Sequence, residues 1–132
     1  MPPWVSDWVG TPYVDLGRTR DACDCLGLYL LLNKHRLGVS PPDPGCTIRQ
    51  AMRGIVAMKQ RRFYSPVTDP TEGDALLIRQ QGFPVHVGYC INRTWMIHTT
   101  PKTGAIVERW NGLVWKNRVL GVYRYDISGC GI

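Results

Sequence analysis

The stretch GTPYVDLGRTRDACDCLGLYLLL, residues 10–32, decides the fold. After Cys25 the sequence becomes apolar and loses its turn-forming residues. Asp24 is a favourable N-cap, and Gly38 can take the left-handed position that ends a helix after a basic last turn. We therefore predict a helix from about Cys25 to Leu37, apolar on nearly all sides and hence buried.

Cys25 falls in the first turn of this predicted helix. Unpaired amide groups and the positive end of the helix dipole favour a thiolate at that place, so we expect a lowered pKa and a nucleophilic sulfur. The alternative is that Cys25 is a small buried hydrophobic residue, which is how a cysteine at the start of a buried helix often behaves.

A cysteine nucleophile needs an imidazole to take its proton and a third group to orient that imidazole. The chain has three histidines. His35 lies ten residues further along the same predicted helix, which is roughly 15 Å from Cys25. It cannot reach the thiol, so His86 and His98 are the candidates.

Both candidates lie in a predicted β-hairpin rich in β-branched and aromatic residues. A two-residue loop would send the imidazoles to opposite faces of the hairpin. A three-residue loop at 92–94 pairs His98 with Gly88, on the same face as His86 and diagonal to it. We predict the three-residue loop, with His86 as the general base and His98 as the residue that orients it.

Five short motifs occur in a fixed order: Gly10-Thr11-Pro12-Tyr13, Asp24-Cys25-x-Gly27-Leu28, Gly73-Asp74, His86-Val87-Gly88 and Ile97-His98. Together they resemble the NlpC-type cell-wall cysteine endopeptidases, papain-like enzymes that cut the peptide stems of bacterial peptidoglycan. The resemblance covers about Trp4 to Val107. It implies that Cys25 is the nucleophile, His86 the base and His98 its orienting partner.

The same resemblance implies that Tyr13 lines the catalytic centre. We expect its hydroxyl, together with the Cys25 backbone N–H, to stabilise the oxyanion. Three further positions are expected to contribute to oxyanion or substrate binding: Asp24, Leu26 and Gly88. Two positions depart from the family pattern, because Leu26 stands where Ser is usual and Leu16-Gly17 replaces a Gly-Gly pair.

Length and composition predict one α+β domain over 1–132 with a papain-like fold. The chain is 44% hydrophobic and 20% charged, and it has no apolar run long enough for a membrane span. Predicted helices precede predicted strands, which favours α+β, with an antiparallel sheet packed against the helix that carries Cys25. The predicted elements are a short N-terminal helix within 1–9, a second helix from Thr47 to about Arg61, strands at 75–78, 105–110 and 121–125, and a tail at 127–132.

The five cysteines are an odd number and unevenly spaced, which argues against a disulfide framework. Cys23, Cys25 and the two hairpin histidines contain enough ligand atoms for zinc, but a Cys-x-Cys pair at a helix start splays its thiols. We expect no metal or cofactor. The net charge of +6 fits a solvated basic face or attraction to an anionic polymer. No nucleic-acid-binding motif is present, so a nucleic-acid partner is not expected.

The first residues show no basic or strongly apolar signal region, so we expect no secretory signal. A wall-cutting enzyme of this kind must then be carried to its substrate. Its pattern resembles phage-tail members of the family, which implies a virion or phage-like particle, with tail-tip or baseplate hub proteins as partners. Four tryptophans predicted to be exposed fit a docked subunit: Trp4, Trp8, Trp110 and Trp115. The alternatives are a structural hub subunit with a retired site, and an amidase or acyltransferase on the same fold.

Overall fold

A computed structural model of the protein describes residues 1–47, 63–80, 83–115 and 117–126. The predicted second helix, beyond its first residue, and the predicted tail at 127–132 lie outside these ranges. The chain begins with a 3-10 helix at Pro3–Asp7, inside the segment predicted as a short helix.

The first α-helix, α1, spans Cys25–Leu32 and continues as a π-helical segment at Asn33–Leu37. The Asp24 side chain caps its start, and Gly38 ends it with a φ of 65°. Six of the eight α1 residues are buried, which confirms a helix that is apolar nearly all round. In the described ranges, no helix combines the length and hydropathy that crossing a membrane requires.

Within the described ranges, eight strands form two sheets. Two short strands pair before α1, and the other six form one antiparallel sheet in the order β3-β8-β4-β5-β6-β7. The strands are β1 Arg18–Thr19, β2 Ala22–Cys23, β3 Tyr64–Pro66, β4 Ala75–Gln80, β5 Phe83–Cys90, β6 Trp95–Thr100, β7 Gly104–Arg109 and β8 Val119–Tyr125. The α+β class with a helix packed on an antiparallel sheet is therefore confirmed.

The large sheet separates two hydrophobic clusters. The larger one lies under α1, where Leu28 and Leu32 pack with Val87 and Ile97 from the sheet. The smaller cluster is formed by side chains that alternate with these along the strands, and it contains Leu76, Ile78, Cys90, Met96 and Trp115. Burial of apolar side chains on one face of the sheet thus holds helix α1 against the central strands β5 and β6.

The β5–β6 hairpin has the predicted register. Tyr89 pairs with Ile97 and Cys90 with Met96, and the Ile91 N–H donates to the Trp95 carbonyl at 2.9 Å. This register leaves a three-residue connection and sets Gly88 opposite His98. Within the described strands the ladder ends at Tyr89, while β5 stays paired with β4 as far as His86 and beyond.

The predicted exposure of the four tryptophans is wrong. Trp8 and Trp115 are buried, and Trp4 and Trp110 are partly buried. The physical reason is that their rings pack within the fold: the Trp4 ring meets Tyr89 edge-on at 6.0 Å, and Trp8 lies beneath the Arg20 guanidinium at 4.4 Å.

Candidate active site

The loop before α1 folds back on itself. Tyr13 forms a parallel bridge with Cys23, and two backbone hydrogen bonds fix it: Cys23 N–H to the Pro12 carbonyl at 3.1 Å, and Val14 N–H to the Cys23 carbonyl at 3.3 Å. This brings Tyr13 beside the start of α1 although twelve residues separate it from Cys25. The fold-back that a Tyr13–Cys25 site requires is present.

Asp24 holds the helix start and the loop together. Its Oδ1 accepts hydrogen bonds from the Gly27 N–H at 2.7 Å and from Arg18 Nη1 at 2.8 Å, and its Oδ2 accepts from the Leu16 N–H at 3.0 Å. The residue is buried. The contact with substrate expected for Asp24 is therefore corrected, because three protein donors occupy its oxygens. Asp24 positions the turn that carries Cys25.

Backbone packing at this turn admits only glycine at two positions. A Cβ atom on Gly17 would lie 2.6 Å from the Ala22 carbonyl oxygen, and one on Gly27 would overlap the Gly17 carbonyl oxygen. The helix therefore lies directly on the loop. Leu16 is the described non-glycine residue with a positive φ, 64°, a conformation that costs an L-residue about 1 kcal/mol or more.

The two hairpin histidines meet. His86 Nε2 and His98 Nδ1 lie 2.7 Å apart, with the ring planes at 73°. The predicted three-residue loop places these imidazoles on one face of the hairpin, and their contact confirms it. Both rings are buried.

A third polar group continues this line and was missed from the sequence. His98 Nε2 lies 2.8 Å from Glu108 Oε2. Glu108 is two residues beyond Ile106, the β7 partner of His98, so it occupies a diagonal position on the same face. Alternation along β7 places Glu108 on the same face as Ile106. Only the register of β6 against β7 shows that this face also carries His98.

Trp115 covers the outer histidine. Its ring meets the His98 ring edge-on at 5.3 Å, and the Arg118 guanidinium lies over the Trp115 ring, 5.3 Å from its centroid. Trp115 is itself buried. This indole packs against the imidazole pair on the face of the sheet opposite α1.

Cys25 lies on the α1 face of the sheet, in the cluster that contains Val87 of β5. The Val87 backbone N–H, next in the chain to His86, is close enough to the Cys25 sulfur to favour its thiolate. Backbone groups alternate direction along a strand, and the Ile91 N–H points to β6, so the Val87 N–H points to β6 as well. Beyond the end of the β5–β6 ladder that N–H is available to the thiol. The thiol thus lies beside the β5 backbone at Val87, one residue from His86.

Electrostatics of the site contradict the predicted thiolate. Burial raises the pKa of Cys25 to about 12, and the Asp24 carboxylate adds to the rise. The nearby amides of Val87, Leu26 and Cys25 itself favour the thiolate but do not compensate. The sequence showed the helix start and its dipole, whereas the dominant effect is desolvation, which depends on tertiary packing.

The imidazoles are neutral for the same reason. Burial, followed by the neighbouring His98, lowers the pKa of His86 to about 3. Burial also lowers the pKa of His98, although Glu108 opposes it. The resting site therefore holds a thiol and two uncharged imidazoles instead of a thiolate–imidazolium pair.

The remaining predicted site residues differ in their surroundings. The Tyr13 hydroxyl donates to Asp15 Oδ1 at 2.8 Å, and its pKa is raised by burial, by this bond and by nearby Cys25. Leu26 is buried. A Cβ atom on Gly88 would lie 2.9 Å from Met96 Sδ, so the absent side chain of Gly88 makes room for Met96. Its contacts are those of packing within the sheet.

Over the residues that the structure describes, no three His, Cys, Asp or Glu side chains are grouped as metal ligands would be. The cysteines at 23, 25, 46 and 90 are free thiols.

A model of the NlpC/P60 family matches residues 10–124, which includes every candidate residue above. The chain belongs to the NlpC/P60 family. Among curated proteins no match is found.

Solved structures of similar shape share this fold. The NlpC/p60 domain of the peptidoglycan hydrolase SagA superimposes with a TM-score of 0.60 at 21% identity, over 91% of this chain and 92% of that one. A lipoprotein-like NLP/P60 protein of Staphylococcus aureus gives 0.64 at 20% identity, over 92% of this chain and 39% of that one. An NlpC/P60 protein of Bacillus cereus gives 0.62 at 23% identity, over 92% and 37%. This NlpC/P60 chain thus spans less than half of those two longer proteins.

Proposed function

We propose that the protein is a cysteine peptidase that hydrolyses the peptide stems of bacterial peptidoglycan, with Cys25, His86 and His98 as its catalytic triad. The observation that carries the proposal is the 2.7 Å contact between the two imidazoles beside the helix start that presents Cys25. A similar structure belongs to a protein described as a peptidoglycan hydrolase, which supports the choice of substrate.

The reaction begins from the neutral pair. As the Cys25 sulfur attacks the scissile carbonyl carbon, its proton passes to His86, which becomes an imidazolium. The imidazolium returns that proton to the leaving amine when the C–N bond breaks, and a thioester remains on Cys25. Water, deprotonated by His86, then cleaves the thioester and regenerates the thiol. A general base acting during attack suits a thiol whose pKa is about 12 better than a preformed thiolate does.

Oxyanion stabilisation is assigned to the Cys25 backbone N–H and the Tyr13 hydroxyl. The N–H lies in the first turn of α1, where it has no partner within the helix. The hydroxyl donates to Asp15 in the resting arrangement, so substrate binding must turn it toward the oxyanion. Leu26, the next residue after the nucleophile, keeps an apolar side chain against the core.

Digestion of purified muropeptides tests the proposal. The wild-type protein should release fragments whose masses correspond to cleavage within the peptide stem. Cys25→Ala should release none while folding normally, because it loses one sulfur. Cys23→Ala is the matched control, since it removes an equally buried thiol two residues away and should retain activity. Failure of the wild-type protein to cut would favour a retired site in a structural subunit, and products formed by acyl transfer or by amide cleavage outside the stem would favour the other enzyme class.

We also propose that the protein acts from the tail of a phage or phage-like particle. The support is the resemblance of its motif pattern to tail members of the family, together with two strongly exposed apolar side chains, Leu113 and Val114. The four tryptophans give no support, because they are buried or partly buried. Mass spectrometry of purified particles should detect the chain, and its absence from particles with free protein in the host cytoplasm would refute this placement.

A further inference from the structure

Glu108, His98 and His86 form a continuous line of hydrogen-bonding groups. We propose that Glu108 is a positioning residue that selects the tautomer of His86. It acts through His98, so two hydrogen bonds separate Glu108 from the imidazole that takes the thiol proton. The inference rests on the proposed function for its catalytic consequence, but its statement about protons can be tested without any substrate.

The contacts are few and well defined. Glu108 Oε2 lies 2.8 Å from His98 Nε2, and His98 Nδ1 lies 2.7 Å from His86 Nε2. Both distances are normal for hydrogen bonds, so one proton lies between the two atoms of each contact. His98 is almost completely buried, under Trp115 on one side, which leaves its two nitrogens these two partners.

The position of each proton follows from the chemistry of the first group. An ionised carboxylate accepts hydrogen bonds and donates none, so the proton between Glu108 and His98 belongs to His98 Nε2. A neutral imidazole carries one N–H, and burial keeps His98 neutral by lowering its pKa. His98 Nδ1 is therefore an acceptor, and the proton between the rings belongs to His86 Nε2.

The consequence appears at the far end of the line. Since the single proton of neutral His86 lies on Nε2, its Nδ1 carries a free electron pair. That nitrogen is the one left to take the Cys25 proton. An acceptor at position 108 thus makes His86 a base toward the thiol, whereas a donor there would reverse every bond in the line and place a proton on His86 Nδ1.

This reversal gives a direct test. Glu108→Lys replaces an acceptor by a group that only donates, and the side chain is 36% exposed, which leaves room for the longer lysine. Glu108→Gln keeps the size and an acceptor oxygen. Asp69→Lys is the matched control, because it makes the same charge change at an exposed carboxylate that pairs with Arg93.

The readout is the ¹⁵N NMR spectrum of the full chain labelled at histidine, which distinguishes protonated from bare ring nitrogens. The wild-type protein, Glu108→Gln and Asp69→Lys should show His86 and His98 both protonated at Nε2. Glu108→Lys should show both protonated at Nδ1. On muropeptides, Glu108→Lys should lower kcat about 100-fold or more with little change in KM, as loss of the correct tautomer does in other triads.

Two results would overturn the inference: His86 protonated at Nδ1 in the wild-type protein, or unchanged tautomers in folded Glu108→Lys. If the lysine variant does not fold, the wild-type and Glu108→Gln spectra still decide. Expected tautomers in a protein that cuts no muropeptide would refute the proposed substrate and leave the proton arrangement intact.

Discussion

Asp24 and Glu108 each position one half of the candidate site, and they do so in different ways. Asp24 is 1% exposed and accepts three hydrogen bonds, one of them from a guanidinium. Glu108 is 36% exposed on its side chain and makes one bond, to His98. The Asp24 carboxylate is thus part of the folded core, whereas the Glu108 carboxylate can be changed without disturbing the packing. We therefore expect substitution of Asp24 to affect mainly the stability of the fold, and substitution of Glu108 to affect mainly the chemistry of the site.

The largest expected effect is the loss of Asp24. Asp24→Ala leaves the Arg18 guanidinium without its buried partner and two backbone amides without an acceptor, so we expect the free energy of unfolding to fall by about 3–5 kcal/mol. Glu108→Ala should lower it by only about 1–2 kcal/mol, because it leaves the buried His98 Nε2–H without its acceptor but removes a carboxylate that is partly solvated. Urea denaturation measures both.

Asp43→Ala provides the control for this pair, since Asp43 binds the same arginine at 2.9 Å but is 44% exposed. Its cost should stay below about 1 kcal/mol. Equal destabilisation by the Asp24 and Glu108 variants would contradict the distinction between a folding carboxylate and a chemical one.

The next effect concerns pH and the base half of the site. Unfolding returns the pKa of His86 from about 3 to its ordinary 6.5, so between these values the unfolded chain binds an additional proton. This contribution to stability is complete above pH 6.5 and is lost as the pH falls toward 3. At pH 4 the loss should be about 3 kcal/mol.

Urea denaturation between pH 4 and 7 measures that loss. His86→Gln should remove the corresponding part of the pH slope, which separates it from the titration of carboxylates. His35→Gln, at an exposed position in the last turn after α1, is the control and should keep the slope. If the free energy of unfolding of His86→Gln kept the same pH dependence, protonation of the buried imidazole would not be the cause of the loss of stability in acid.

The same contrast explains what the sequence could predict. Asp24 caps a helix that begins at the next residue and accepts the Gly27 N–H three positions on, so helix-capping rules located this role and the start of the helix. Its bonds to Leu16 and Arg18 lie outside those rules. The meeting of His86 and His98 was equally accessible, because a three-residue loop and strand alternation determine the register of one hairpin. Local spacing was sufficient in both cases.

Features that depend on distant packing were missed. The role of Glu108 required the register of β6 against β7, and the raised pKa of Cys25 required knowing how completely α1 is buried on the sheet. Burial of Trp8 and Trp115 depends on contacts with Arg20 and His98, which come from other parts of the chain. Propensity and pattern contain no information about these contacts.

The smallest expected effect sharpens the comparison at the Asp24 side. Leu16 donates its N–H to Asp24 while its backbone has a φ of 64° and its side chain is 54% exposed. Leu16→Gly keeps the hydrogen bond and removes a strain of about 1 kcal/mol, but glycine adds about 0.5 kcal/mol of unfolded-chain entropy. The net result should be a gain of about 0.5 kcal/mol in the free energy of unfolding.

Gly17→Ala is the contrasting variant, because its Cβ atom would lie 2.6 Å from the Ala22 carbonyl oxygen and should cost about 1–3 kcal/mol. Urea denaturation of the two variants measures the effect of backbone strain on the free energy of unfolding. Hydrolysis of muropeptides by the same variants measures the effect on activity. A stabilised but slower Leu16→Gly would mean that the exposed leucine contacts substrate, since the network around Asp24 is unchanged by the substitution. Destabilisation by Leu16→Gly would instead contradict the strain, and would show that this side chain contributes to the packing that holds Cys25 in place.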